Sequence, residues 1–225
     1  MKLSNKKMST NTIVLGAILT ALVTVLQLMG AFIKLGPFSV SLVLIPIVIG
    51  AATCGIAVSS WLGLVFGIAV LISGDAAAFL AISVPGTVIT VLAKGVACGF
   101  FAGLAFKGVL ALLDRRSKNQ IAQIKREEGL CECCEDGVYR FLSRNNKYIA
   151  TLVAAIVCPA VNTGVFLLGC LAFFMEAVSA WAGDANIVYY MFIILVGANF
   201  LFELGTDIIL SPVVVRLLNI RGKKH

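Results

Sequence analysis

Lys94, Asn162, Thr163, Asn199, Glu203 and Asp207 stand inside long runs of apolar residues. An ionisable side chain at such a depth in a bilayer costs about 2.5 kcal/mol or more, and it normally faces a protein interior or a cavity. Together these residue types suit one kind of chemistry. A lysine can hold an anionic group, while amides and a carboxylate hydrogen-bond the polar parts of a small solute. Catalysis finds no support beside this. The one histidine is the last residue, His225, and no G-x-S-x-G, H-E-x-x-H or G-x-x-x-x-G-K-[ST] pattern occurs. The chain therefore carries neither a hydrolase signature nor a nucleotide-binding loop. The expectation is a binding protein without catalytic residues, cofactor or metal, and any ATPase that drives it is another chain.

The elements that position these residues follow from hydrophobicity. Sixty per cent of the residues are hydrophobic, and the mean hydropathy is +1.02. Apolar runs of about 17 to 25 residues are what a hydrocarbon core roughly 30 Å thick requires. Six such segments predict an all-α integral membrane protein, one membrane domain over 1–225, with helices at 13–33, 38–52, 56–72, 85–113, 148–177 and 187–218. The segment 13–33 follows Lys2, Lys6 and Lys7, yet it is longer than the apolar core of a secretory signal and no A-x-A pattern follows it. It reads as a retained helix. Helices four to six, at about 30 residues and so roughly 45 Å, must tilt or project beyond the bilayer.

Charge placement sets the orientation. Of the 18 Lys and Arg residues, 15 fall in the N-terminal tail, the polar loop 114–147 and the C-terminal end. With six crossings these lie on one side, which the positive-inside rule makes cytoplasmic, with both termini. The opposite side has Lys34, Asp75 and Asp184 in its loops, with Trp181, Tyr189 and Tyr190 near that interface. This distribution, rather than the net charge of +7, argues against a nucleic-acid partner. Cys54, Cys98, Cys158 and Cys170 lie in apolar segments and read as small packing residues. Cys131, Cys133 and Cys134 sit together in the polar loop, but no histidine or suitably spaced cysteine pair completes a metal site.

A rise of about 1.5 Å per residue puts Lys94 roughly 14 Å below the outer start of helix four. On the same scale Asn162, Asn199 and Glu203 lie roughly 18 to 24 Å below the outer ends of their helices. Two arrangements satisfy these depths. Lys94 and Glu203 can neutralise one another as a buried pair, with the amides bonding across helices. Alternatively the four line an outward-opening pocket for a small polar solute, with Lys94 facing an anionic group. Gly63 and Gly67, and Gly95, Gly99 and Gly103, form small-residue ridges suited to close packing inside the bundle. Ala17 and Ala21 form a similar stripe on the first helix.

The sequence resembles the membrane-embedded substrate-binding subunit (S component) of energy-coupling factor (ECF) vitamin transporters. The features that match are six helices, the pair Ala17-x-x-x-Ala21, and Gly36-Pro37-Phe38-Ser39-Val40 followed by Ile45-Pro46-Ile47-Val48-Ile49-Gly50-Ala51. Further along come Gly63-Leu64-Val65-Phe66-Gly67, Pro159-Ala160-Val161-Asn162-Thr163 leading to Gly169, and Asn199 with Glu203 before Pro212. The G-P-x-S-V and N-T-x-x-x-x-x-G patterns are most similar to the pantothenate-type members, from which the long Cys-containing loop departs. The resemblance implies capture of a vitamin or related micronutrient, pantothenate-like or riboflavin-like, in a pocket of helices four to six. It implies partners as well: a transmembrane coupling protein (T component), which would dock on Ala17 and Ala21, and two cytosolic ATPases. A stand-alone secondary transporter or facilitator of a small polar solute is the alternative.

Overall fold

Long apolar stretches leave a backbone in lipid one local way to satisfy its own hydrogen bonds, and this chain takes it almost throughout. The computed structural model describes residues 10–30, 34–35, 38–39, 42–128, 132–183 and 186–222. Helix α1 spans Thr10–Gly30, and a two-residue antiparallel ribbon, β1 (Lys34–Leu35) with β2 (Phe38–Ser39), follows it. Next come α2 (Leu44–Thr53), α3 (Ile56–Ser73) and the single turn α4 (Ala77–Leu80). Two long helices, α5 (Val84–Glu128) and α6 (Glu132–Phe173), form the spine. The chain closes with α7 (Met175–Ala182), α8 (Ile187–Tyr189), a π-helical stretch Tyr190–Leu195, and α9 (Gly197–Gly222).

Among the described residues four helices, α1, α3, α5 and α6, are long and apolar enough to cross a membrane. A fifth span is present if α7 and Ile187–Leu195, which meet at 98°, count as one bent crossing. The protein is thus an all-α, multi-pass membrane protein. Its side chains agree: Ile18, Ile72, Phe100, Leu168, Phe192 and Ile209 are exposed along the helices, as lipid-facing residues are.

Several expected boundaries move. The segment expected at 38–52 is helical only over Leu44–Thr53, 10 residues or roughly 15 Å, half the thickness of a hydrocarbon core. Phe38 belongs instead to the ribbon. The expected loop 114–147 is largely helix, because α5 and α6 continue into it as an antiparallel hairpin. Its residues are good helix formers once the charges have water to face. Ile121 is buried there, and Asn146 on α6 donates to Asp114 Oδ1 at 2.8 Å and Ser117 Oγ at 3.0 Å on α5. The fifth helix, expected to reach 177, stops at Phe173. Phe174 leaves helical geometry (φ −129°, ψ 15°) before α7 begins. The sixth, expected at 187–218, is broken at Val196. Lys2, Lys6, Lys7, positions 31–33, Gly36, Pro37, Val40, Cys131 and Asp184 lie outside the described residues, as does His225.

The bundle is built around α5, which packs along α6 on one side and α3 on the other. The glycine ridges make the second contact possible. A methyl group on Gly63 would collide with the Gly95 carbonyl, and one on Gly99 with that of Ser59. The ridges therefore serve packing inside the chain. The main core joins Leu19 and Val23, Leu44 to Ala51, Leu62 and Phe66, Val91 to Phe106, and Ala150 to Cys158. Cys98, Cys158 and Cys170 are fully buried in these helix contacts. A smaller apolar cluster of Phe79, Leu167, Cys170, Phe174, Val178, Met191 and Leu195 closes the end of the bundle away from the hairpin.

Candidate functional site

The polar groups inside the bundle are delivered by helical spacing. Thr90 and Lys94 on α5, Asn162 and Phe166 on α6, and Asn199 and Glu203 on α9 are each four residues apart. Residues so spaced share one helix face. The three faces converge, and between them lies a cavity of about 760 Å³, its open mouth included. All four residues expected to bind a solute, Lys94, Asn162, Asn199 and Glu203, line it. Gln27, Asp75, Phe79, Thr87, Phe174 and Leu195 complete the wall toward the end of the bundle opposite the helical hairpin.

Two irregularities in the backbone shape this site. Pro159 lies inside α6 one turn before Asn162, where a proline removes a backbone donor and bends the helix. On the other side, the π-helical turn Tyr190–Leu195 and the break at Val196 (φ −123°) directly precede α9. Such π-turns cluster at functional sites. Here the break lets Leu195 and Val196, then Asn199 and Glu203, all reach the same cavity.

The electrostatics are those of separated charges. The Lys94 ammonium sits over two aromatic rings, 5.6 Å from the Phe66 centroid and 5.3 Å from that of Phe166. Such cation–π contacts are worth about 0.5–2 kcal/mol each, depending on desolvation. Among the described residues no carboxylate is within ion-pair distance of Lys94, so the expected alternative of a direct Lys94–Glu203 pair is not the arrangement found. Glu203 is 1% exposed, and its Oε1 accepts from Asn199 Nδ2 at 2.9 Å. That bond fixes the Asn199 amide, with its oxygen turned away from the carboxylate. Glu203 Oε2, Asn199 Oδ1, Asn162 Oδ1 and Thr90 Oγ1 are buried without a hydrogen-bond partner. Four such oxygens around one cavity are notable, because an unmade buried hydrogen bond costs about 1–3 kcal/mol.

The mouth is built differently. Gln27, at 3% exposure on α1, donates to the Asp75 carboxylate and to Ser73 Oγ. This ties α1 to the end of α3. Phe79 packs edge-on against Phe166, Phe174 and Trp181 at centroid distances of 5.5, 5.1 and 5.5 Å. The rings make an apolar collar beside the polar floor. Sequence reasoning missed the collar and Thr90. Counting one turn from Lys94 and from Asn162 would have found Thr90 and Phe166.

The remaining polar candidates fall elsewhere. Asp207 lies one turn beyond Glu203, 4% exposed and with one oxygen unpartnered, but it does not line the cavity. Thr163 is part of the wall. Ala17 and Ala21 are exposed on α1, on the side away from its buried face of Gly16, Leu19, Val23 and Gln27. They do not pack inside the bundle. Gly169, by contrast, is buried, and a methyl group there would strike Thr90. Comparison of the chain with models of known families, with curated proteins and with solved structures finds no match.

Proposed function

We propose that this chain is the membrane-embedded substrate-binding subunit of an ECF-type transporter, capturing a vitamin-like micronutrient for uptake driven by separate ATPases. The observation that carries the binding role is the cavity itself, where an unpaired ammonium and four unpartnered oxygens stand at one depth. Isolated ionisable groups are costly in a membrane, and a ligand that engages them offsets that cost. The chain crosses six times, with the ribbon and α2 as a short second crossing and the π-turn with α9 as the sixth. Both termini and the basic α5–α6 hairpin are then cytoplasmic, and the cavity mouth faces outward. The membrane is a prokaryotic plasma membrane, and the solute is pantothenate-like or riboflavin-like in size. The coupling protein docks on the exposed Ala17 and Ala21 of α1, where small side chains permit a close helix crossing.

Affinity purification from native membranes in mild detergent tests this reading. A second integral membrane protein and a pair of cytosolic ATPases should co-purify, and ATP should be needed for uptake into proteoliposomes. Uptake by the chain alone, without ATP, would instead establish a secondary transporter or facilitator.

A further inference from the structure

The distribution of donors and acceptors around the cavity says what its occupant must look like. Glu203 Oε2 has no partner and accepts when the carboxylate is ionised, and Asn199 Oδ1 is fixed as an acceptor by the bond from Asn199 Nδ2 to Glu203 Oε1. Asn162 Oδ1, on a side chain 6% exposed, is a further unpartnered acceptor, while the Thr90 hydroxyl on α5, also unpartnered, can accept or donate. With the carboxylate ionised, α9 and α6 thus carry three unpartnered acceptors at the cavity. Lys94 on α5 is the reverse case. Among the described residues no carboxylate is within ion-pair distance of its ammonium, which lies over the faces of Phe66 and Phe166.

We infer that the ligand is a two-ended acid: its anionic group lies at Lys94, and a hydroxyl- or ammonium-bearing end lies at Glu203, Asn199 and Asn162. The inference rests on the binding role proposed above and narrows it. A solute without an anionic group would leave Lys94 uncompensated. One without hydroxyl or ammonium donors would leave buried acceptors unsatisfied, and such mismatches are how polar sites reject analogues. The collar of Phe79, Phe166 and Phe174 then lies against the apolar part of the molecule on the side of the mouth.

The test uses the full-length protein in detergent and a deproteinised yeast extract separated into four pools by ion exchange. These are solutes retained only as anions at alkaline pH, only as cations at acid pH, in both ways, or in neither. Thermal stabilisation should appear with the anionic or the doubly retained pool. Acetylation of that pool, which caps amines and hydroxyls, should abolish it. Lys94→Met should weaken the response at least tenfold. Glu203→Gln separates the two kinds of donor: a roughly hundredfold loss marks an ammonium end, a loss below tenfold a hydroxyl end. Stabilisation by the cationic or neutral pool, or stabilisation that survives acetylation, overturns the inference and leaves the binding role standing. No response from any pool overturns both. The wild-type pools decide the matter even where a variant fails to fold.

Discussion

Gly169→Ala is the substitution that most directly tests how the site is held together. In an ordinary helix this change stabilises by roughly 0.5–1 kcal/mol, because alanine restricts the unfolded chain and suits the helix. At Gly169 the new Cβ would stand 2.5 Å from Thr90 Oγ1 and 2.9 Å from Thr90 Cβ. Thr90 is buried on α5, so either it leaves its rotamer or α5 and α6 move apart. Overpacking of this kind costs about 1–3 kcal/mol, which leaves a net destabilisation of up to about 2.5 kcal/mol after the helical gain of about 0.5–1 kcal/mol is taken off. Gly164, on the same helix with nothing within 4 Å of its built Cβ, is the control. Gly164→Ala should be neutral to stabilising by about 0.5–1 kcal/mol. Removing the obstacle should also rescue: Thr90→Ala combined with Gly169→Ala should show a favourable coupling of about 1 kcal/mol. The assay is reversible unfolding in mixed micelles by denaturing detergent, with ligand-dependent stabilisation measured alongside. Because Thr90 lines the cavity, Gly169→Ala should weaken that stabilisation several-fold, and Gly164→Ala should not. Equal stabilities for the two alanine variants, or no coupling with Thr90→Ala, would refute the account of the α5–α6 contact.

Replacing Ala17 and Ala21 together with Trp should leave the isolated subunit folded and binding ligand, since both are exposed on α1. It should abolish recovery of the coupling protein in a pull-down, and retained assembly would count against the docking role. Asn146→Ala removes two hydrogen bonds between the arms of the α5–α6 hairpin. It should cost about 1–3 kcal/mol of stability while leaving ligand binding unchanged, as measured in the same unfolding assay. Gln27→Leu deletes the donor that reaches Asp75 and Ser73 at the cavity mouth. It should weaken ligand-dependent stabilisation by faster release rather than slower capture, measured as an increased dissociation rate, and an unchanged rate would show that this tie is not part of the mouth.

Apolar runs of bilayer length already specify a helical membrane protein, because they leave no other backbone arrangement. The same reading singles out four polar side chains. Lys94, Asn162, Asn199 and Glu203 stand out against apolar neighbours, and a simple count of rise per residue placed them at one depth. Helix ends were less legible. The π-turn at Tyr190–Leu195 and the break at Phe174 carry no proline or glycine of their own, so no local signal announced them. The polar hairpin read as a loop because hydropathy tracks lipid contact and says little about a helix standing in water. What tertiary structure alone decided is who faces whom. Rotation of a helix about its axis is fixed by packing against its neighbours, here by Gly63 against Gly95 and Gly169 against Thr90. That rotation turns Lys94 toward Phe66 and Phe166 rather than onto Glu203, and leaves the acceptors of α6 and α9 unpartnered around a cavity. Depth is a one-dimensional property that a sequence records directly, whereas the angle of each face around its helix depends on contacts between residues distant along the chain.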